Sequence, residues 1–339
     1  MSKKRQERPI NAARLYDIYL NFINHVESEI ESYEPKLITK LDLEALREAR
    51  RRGELVLVLG AGVSQPMRLL NWSELNISLC RSILPARFKR SARSLMRSVG
   101  TAAPVFTRFI EHELPLRSEL RRRLKIRLYR NFKKKFSNPT LLSIVNLLSS
   151  KTAGPPVSTV ITYNFDDILE QCIRRKFPKA RFDVIASEEE FQASKNSLRI
   201  FHPHGFLPYE DSNEFRHLDA AVVFSESEFH DKSVRFHSWE HVVQNYCYLG
   251  KTCLFIGISF SDPNLRKHLD LASRSPSGNA TPRHYAIVAI DRGGRSKNLR
   301  TLISYFKEKD LRSLGVTPLW VRTYQQGVPR FLRLLARNS

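Results

Sequence analysis

The spacing of apolar and polar positions divides this chain into a helical first part and a second part in which short strands alternate with helices. Between Asn11 and Arg52, apolar residues recur every three or four positions, which predicts a helical segment ahead of the main domain. The apolar run Leu55–Leu59 predicts the first strand, and helical spacing returns from Asn71 to about Leu148.

Beyond Gly154-Pro155-Pro156 the pattern changes to short apolar runs separated by helical segments. These runs predict strands at Ser158–Tyr163, Arg181–Ile185, Leu198–Phe201, Ala220–Phe224, Thr252–Gly257, His284–Ile290 and Pro318–Val321. Several are apolar throughout, as is typical of parallel strands that helices cover on both faces. The sequence therefore predicts an α/β fold: a Rossmann-like, doubly wound parallel sheet with a basic helical insert and an N-terminal helical lead-in.

The distribution of charge singles out one segment, the helical insert, as strongly basic. We assign the helical lead-in to residues 1–52 and the sheet domain to residues 53–339, with the insert at about residues 76–150. The net charge is +22, and between Arg87 and Lys135 sixteen basic residues stand against three acidic ones. This segment fits an anionic partner such as nucleic acid, a nucleotide or an acidic protein, and it fits a solvated helical surface equally well.

Other bulk properties mainly exclude classes of protein. The four cysteines form no C-x-x-C pair, which argues against a disulfide framework and against a tetrathiolate zinc site, so no metal is expected. The basic N-terminus has no apolar segment of the kind that a secretory signal needs, and no apolar run is long enough to span a bilayer. We therefore expect a cytoplasmic protein without a membrane partner.

The first candidate site is the turn that follows Leu55–Leu59. It contains Gly60, Ala61, Gly62 and, just behind them, Ser64. Glycine allows the backbone to approach a ligand closely, and a strand that ends in such a turn before a helix directs N–H groups at a phosphate. The residue at the third glycine position of G-x-G-x-x-G is a glutamine, so the turn alone also fits a tight connection without a ligand.

Two further groups of candidate site residues lie at predicted strand ends, where open parallel sheets bind their ligands. Asn164 and Asp166 emerge together and can hydrogen-bond a ribose hydroxyl and a carboxamide, whereas Asp167 is better explained as the cap of the next helix, with Glu170 completing a capping box. His204 follows another strand, and its ring suits proton transfer. His202 lies beside it, and only one of the two histidines need act.

The last group of candidate site residues lies in the segment after Thr252–Gly257. Ser259 follows the glycine and can face a ribose. Asp262 precedes a proline, so we interpret it as a helix N-cap with Pro263 at the first helical position.

The order and spacing of these motifs resemble those of the sirtuin-like NAD-binding family. The residues that carry the resemblance are Leu57–Ser64, Trp72-x-Glu74-Leu75, Asn164-Phe165-Asp166, His204-Gly205, Phe224-Ser225-Glu226 and Gly257–Asn264. Together they span roughly residues 55 to 325, and the chain is most similar to the bacterial zinc-less branch found in antiphage defence proteins. Sirtuin deacylases carry a zinc module with paired cysteines, which this chain lacks.

The resemblance implies a role for each candidate residue. The turn of Gly60, Ala61, Gly62 and Ser64 would hold the phosphates of NAD⁺, and Gly257 and Ser259 would lie near the cofactor, Ser259 towards its adenosine half. Asp166 would face the nicotinamide carboxamide. Asn164 would hold the nicotinamide ribose and position an attacking water, and His204 would act as general base or ribose contact.

The expected function is therefore NAD⁺ glycohydrolysis, which gives ADP-ribose and nicotinamide. In the defence proteins that the chain resembles, such activity would act as a toxic effector by depleting NAD⁺, so we expect a protein partner or a homo-oligomer to control it, with Arg87–Lys135 as the candidate gate. Two alternatives stay open. One is a nucleotide-sensing or nucleic-acid-associated subunit that binds NAD⁺ without cleaving it, and the other is an ADP-ribosyl transferase.

Overall fold

The chain folds around one parallel sheet. The computed structural model describes residues 12–98, 103–114, 116–133, 136, 138–149, 156–209, 222–224, 227, 228, 230, 234, 238–274, 284–290 and 296–337. The strands are β1 (Leu55–Leu59), β2 (Thr159–Thr162), β3 (Phe182–Ile185), β4 (Leu198–Phe201), β5 (Thr252–Ile256), β6 (His284–Ala289) and β7 (Val316–Val321). Every pairing between these strands is parallel, and their order is β3-β4-β2-β1-β5-β6-β7. The predicted α/β fold with a doubly wound parallel sheet is confirmed.

Helices precede the sheet and cover it. Two come before β1, namely α1 (Ala12–Glu31) and α2 (Lys40–Arg51). Between β1 and β2 lie α3 (Trp72–Ile83), α4 (Ala92–Ser98), α5 (Ala103–Glu113), α6 (Arg117–Leu128) and α7 (Pro139–Ser149). The remaining helices are α8 (Ile168–Lys176), α9 (Glu188–Ala193), α10 (Trp239–Gly250), α11 (Pro263–Ser273), α12 (Lys297–Ser313) and α13 (Tyr324–Ala336). None of the helices in the described ranges is long and apolar enough to cross a membrane.

The core explains why the strand sequences are apolar throughout. All five residues of β1 are buried, because helices pack on both faces of the sheet at its centre. The connection from β1 to β2 contains the basic α6, whose Leu120, Leu124 and Leu128 are buried, and the apolar α7, which packs against α13. The helical lead-in is broken between α1 and α2, where Thr39 caps the second helix.

One strand prediction is wrong for the three of its residues that the structure describes. Residues 222–224 of the predicted strand Ala220–Phe224 form no strand. Their amides bond elsewhere: Val223 N–H donates to the carbonyl of His204 at 2.8 Å, and Phe224 N–H donates to Glu228 Oε2 at 2.7 Å. The segment therefore covers the end of β4 instead of extending the sheet. The sequence also predicts surface loops at Ser273–Pro282 and Asp291–Arg295, which apart from Ser273 and Arg274 lie outside the described residues.

Candidate functional site

The strand register brings the predicted site residues together at one edge of the sheet, where the carboxyl ends of the strands lie. Leu59 of β1 is aligned with Thr162 of β2 on one side and with Ile256 of β5 on the other. The residues that follow these three strand ends therefore start side by side. The chain continues from β1 to β2 on one side and returns to β5 on the other, and open parallel sheets bind ligands at such a switch point.

Three glycines pack the two central turns together. A Cβ on Gly60 would lie 2.6 Å from the carbonyl oxygen of Gly257, and one on Gly62 would lie 2.7 Å from Gly257 Cα. Gly257 itself has a φ of +69°, and its Cβ would lie 2.8 Å from Val63 N and from Tyr324 Oη. The space that side chains would fill is thus taken by the opposite turn, so these glycines serve the contact between the turns of β1 and β5.

Most amides of the first turn are used within the protein. The N–H of Gly62 donates to the Gly257 carbonyl at 3.0 Å, and the amides of Gly60, Val63 and Ser64 also donate to backbone carbonyls. No such bond is found for the half-buried Ala61 among the described residues. If the turn contacts a phosphate, the Ala61 amide is its available backbone donor.

A second donor lies beside the same turns. The Tyr324 hydroxyl is buried and has no hydrogen-bond partner in the described part of the chain. Burial raises the pKa of Tyr324, so the phenol keeps its proton. Sequence analysis missed this residue because Tyr324 opens α13, far along the chain from the glycine turn.

Ser64, Asn164 and Asp166 form one buried network at this edge. Asn164 Nδ2 donates to the carbonyl of Gly60 at 3.2 Å and to Ser64 Oγ at 3.3 Å. Ser64 Oγ in turn donates to Asp166 Oδ1 at 3.1 Å. Each of the three side chains is at most 8% exposed. The structure thus joins residues that the sequence separates by about a hundred positions, and it fixes the orientation of the Asn164 amide.

Asp166 is the strongly perturbed acid of this network. Burial, together with the nearby carboxyls of Glu170 and Asp167, raises its pKa to about 7 against the opposing hydrogen bonds from Ile168 N–H and Ser64 Oγ. At neutral pH this side chain therefore exists in both protonation states. Such a group can accept a hydrogen bond from a carboxamide nitrogen or donate one to its oxygen.

The capping prediction at the start of α8 needs a correction. Asp167 occupies the N-cap position, but its side chain makes no cap hydrogen bond, and the Ile168 amide donates to Asp166 Oδ1 at 3.2 Å instead. The Asp167 carboxylate accepts from Gln171 Nε2 at 2.8 Å and contacts Tyr129 Oη at 3.1 Å. Tyr129 follows α6, so the basic helix is attached directly beside Asp166.

The two histidines after β4 have different partners. His202 is fully buried, with Nδ1 3.1 Å from the carbonyl oxygen of Asn164 and Nε2 2.9 Å from Glu170 Oε1. A carbonyl can only accept, so Nδ1 donates, and both ring nitrogens of His202 are engaged within the protein. His204 is partly exposed, and its Nε2 lies 2.9 Å from Asp262 Oδ2. This arrangement leaves His204 as the histidine that can meet a ligand.

Asp262 combines two tasks. Its Oδ1 accepts the amides of Asn264 at 2.8 Å and Leu265 at 3.3 Å, so the predicted N-cap of α11 is confirmed. Its Oδ2 faces His204. Burial raises the pKa of Asp262, but the His204 ring and the cap amides outweigh burial and hold it below the usual value. Asp262 is therefore a carboxylate at ion-pair distance from His204, a contact that its capping role alone does not predict.

Ser259 lies apart from the buried network. Its side chain is exposed and lies 2.7 Å from Ser261 Oγ. Phe260, between the two serines, has a φ of +57°, a left-handed conformation that is costly for a large residue. Its ring is buried against β5, so packing holds this strained backbone. The segment thus presents Ser259 outward and Asp262 inward.

The fold and this edge define a Rossmann-like α/β protein with a polar site at the switch point of its sheet. Residues 158–314 match the family model of the SIR2-like domain, and this match carries Asn164, Asp166, His204, Gly257 and Ser259. This part of the chain is therefore similar to the SIR2-like domain, and the similarity points to an NAD-related activity. The glycine turn of β1 lies outside the match. No curated protein matches the chain.

Thiol chemistry does not contribute to this site. All four cysteines are buried and free, and burial raises the pKa of Cys172 and of Cys247 to about 12. Within the described ranges, no group of three or more His, Cys, Asp and Glu side chains is arranged to hold a metal ion.

Proposed function

We propose that this chain hydrolyses the N-glycosidic bond of NAD⁺ and releases nicotinamide and ADP-ribose. The observation that carries the proposal is the meeting, at one sheet edge, of the Ser64–Asn164–Asp166 network with the His204–Asp262 pair. A pure binding module has no need of a histidine that a carboxylate orients, whereas a hydrolase needs a base for water.

From this geometry we propose the following substrate contacts. The Ala61 amide and the Tyr324 hydroxyl are the donors for the phosphates, and Gly257 and the exposed Ser259 lie along the path towards the adenosine half. Asp166 binds the nicotinamide carboxamide and thereby fixes the leaving group. Asn164, held by the Gly60 carbonyl, positions the nicotinamide ribose.

Hydrolysis of the N-glycosidic bond mainly requires that the substrate, a water molecule and a base are held in position. Nicotinamide is cationic while it is attached to ribose, so its departure with the bonding electron pair neutralises it and leaves an oxocarbenium-like sugar. The sugar then needs one oriented water and one base. His204 is that base, and the Asp262 carboxylate stabilises the imidazolium that forms when the ring takes the proton.

The basic insert is our candidate for control of this activity. Tyr129 Oη donates to the Leu207 carbonyl at 2.7 Å and contacts Asp167, and Arg121 Nη2 donates to the Phe206 carbonyl at 3.1 Å. A movement of α6 would therefore disturb the segments that carry Asp166 and His204. We propose that an assembly partner or a second copy acts through this contact, as the toxic effector of a bacterial defence system requires.

Nucleic acid is a second candidate ligand of the insert. Arg127 and Arg130 lie close enough that, besides burial, the charge of Arg130 lowers the pKa of Arg127. Phosphates would relieve such repulsion, and binding would weaken steeply as salt increases. A flat salt response of DNA or RNA binding excludes this role.

Nicotinamide release from NAD⁺ tests the proposed function. The assay uses the full chain alone and together with the products of the genes adjacent to its own. We expect release, and we expect Asn164→Ala and His204→Ala each to reduce it by about 10²-fold or more. Tight NAD⁺ binding without release in either condition would establish the non-enzymatic module. Transfer of label from NAD⁺ to protein or nucleic acid would establish a transferase.

A further inference from the structure

A small cavity lined by both polar and apolar residues lies against His204. Its walls include His204 after β4, Glu240, His241 and Gln244 of α10, and His268 of α11. All but His204 are nearly completely buried. The cavity volume of about 20 Å³ has room for one water molecule and not for a nucleotide or an organic acceptor. We call it the histidine cavity.

His268 provides the cavity with a buried acceptor. Its Nδ1 lies 2.8 Å from Asn245 Oδ1, and because an amide oxygen only accepts, Nδ1 carries the proton. Burial and the nearby His241 lower the pKa of His268 to about 4, so the ring is neutral at pH 7. Nε2 then has a lone pair, and it finds no hydrogen-bond partner among the described residues. A water molecule is the smallest donor that would satisfy it.

Hydrogen bonds connect the side chains around this acceptor. Gln244 Nε2 donates to the Glu240 carbonyl at 3.0 Å, and Gln244 Oε1 accepts from Tyr163 Oη at 2.6 Å. The Tyr163 ring stands edge-on to His204, with 4.9 Å between ring centroids. Tyr163 also immediately precedes Asn164. The cavity is therefore connected by direct contacts to both proposed catalytic residues.

We infer that the histidine cavity holds the water that attacks C1′ of the nicotinamide ribose, with His268 as a positioning residue. This inference rests on the proposed function. One hydrogen of the water points to His268 Nε2 and the other to the His204 ring, which leaves an oxygen lone pair for attack. The C1′–N1 bond breaks with its electrons going to nicotinamide, the oxygen bonds to C1′, and the proton passes to His204.

The test compares two fates of the same enzyme-bound ribosyl group. Water gives ADP-ribose, whereas added labelled nicotinamide gives labelled NAD⁺ by exchange. We expect His268→Leu to lower hydrolysis about tenfold while exchange stays within about twofold, because a single hydrogen bond to the water is lost. His268→Gln restores an acceptor oxygen, and we expect it to recover most of the hydrolysis.

His284→Leu is the matched control. His284 is also buried, and burial lowers its pKa to about 4, but it bonds the Tyr248 carbonyl and the Cys253 amide and does not line the cavity. We expect it to leave the ratio of hydrolysis to exchange unchanged. A His268→Leu variant that loses both reactions equally, or neither, overturns the inference.

A second readout is independent of catalysis. A crystal structure of the full chain at high resolution is expected to show an ordered water within hydrogen-bond distance of His268 Nε2. Its absence overturns the inference even if NAD⁺ is hydrolysed. If the water is present and no nicotinamide is released under any condition, the proposed function fails and the attacking role fails with it.

Discussion

Two sides of the candidate site meet at one sheet edge and satisfy their polar groups in different ways. The glycine side, formed by Gly60, Gly62, Gly257, Ser64, Asn164 and Asp166, directs most of its hydrogen bonds inward. The histidine side is formed by His204, Asp262, Glu240, His241 and His268. All of these except Asp262 line a cavity, in which His268 provides a buried acceptor.

The difference suggests a division of work. Glycine-to-glycine contacts fix the two turns so closely that no side chain fits between them, which suits a surface that holds a ligand in one position. The histidine side places a base, its orienting carboxylate and room for water together, which suits a reaction. We expect variants of the three glycines to affect stability and binding, and variants of the histidine side, like those of Asn164, to affect turnover.

The largest effect is expected for Asp262→Asn on the histidine side. Asparagine caps a helix about as well as aspartate, so the free energy of unfolding should change by less than about 1 kcal/mol. The amide cannot stabilise a protonated His204, so nicotinamide release should fall by about 10²–10⁴-fold. Release assays and urea unfolding measured on the same preparation check both parts. Unchanged release would remove Asp262 from the mechanism.

The next effect belongs to the glycine side and concerns Gly257→Ala. Gly257 and Gly53 have nearly the same positive φ, +69° and +67°, but a Cβ on Gly53 would meet nothing within 4 Å. Gly53→Ala should therefore cost only the left-handed backbone penalty, about 1 kcal/mol. Gly257→Ala adds the collision with Gly62, Val63 and Tyr324, roughly 1–3 kcal/mol more. Urea unfolding of the two variants measures the difference, and equal losses would show that the turns are loosely packed.

A smaller effect is expected from Asp166 as the pH changes. The folded state keeps the Asp166 proton up to about pH 7, whereas the unfolded chain loses it near pH 4, so this group lowers stability as pH rises between those values. Asp166→Asn removes the dependence. Between pH 5 and pH 8 we therefore expect the free energy of unfolding of the variant to rise by about 2–3 kcal/mol relative to that of the wild type.

Asp183→Asn is the control for that measurement. Partial burial raises the pKa of Asp183, but hydrogen bonds from Asn196 and Lys195 outweigh it and hold the pKa below its usual value. This group titrates below pH 4, so its replacement should leave the difference between pH 5 and pH 8 unchanged. If Asp166→Asn behaves in the same way, the Asp166 carboxyl is ionised throughout and the perturbation of its pKa is absent.

The sequence allowed the candidate residues that follow strand ends to be selected. Continuous apolar runs predicted parallel strands, and parallel strands bring the residues after them to one edge, which is why Asn164, Asp166 and His204 could be selected. The role of the second oxygen of Asp262 could not be predicted, because capping explains the local sequence fully. Its contact with His204 depends on how the segments after β4 and β5 come together, although these strands are not neighbours in the sheet.

The cavity residues left even less local signal. Glu240 and His241 of α10 and His268 of α11 are buried in the structure. In the sequence, however, a buried polar residue of a helix cannot be distinguished from an exposed one. Only the packing of two helices against the end of β4 shows that they are buried together. Tyr129 and Tyr324 were missed for the same reason, since each reaches the site from a distant helical segment.

The most direct measurement compares NAD⁺ binding with NAD⁺ cleavage in His204→Ala. Binding is measured by calorimetry, and cleavage is measured by nicotinamide release under the conditions in which the wild-type chain is active. The division of the site predicts that this variant binds NAD⁺ within about tenfold of the wild-type affinity and releases nicotinamide at least about 10²-fold more slowly. Release at the wild-type rate, or loss of binding as complete as the loss of release, would contradict the account.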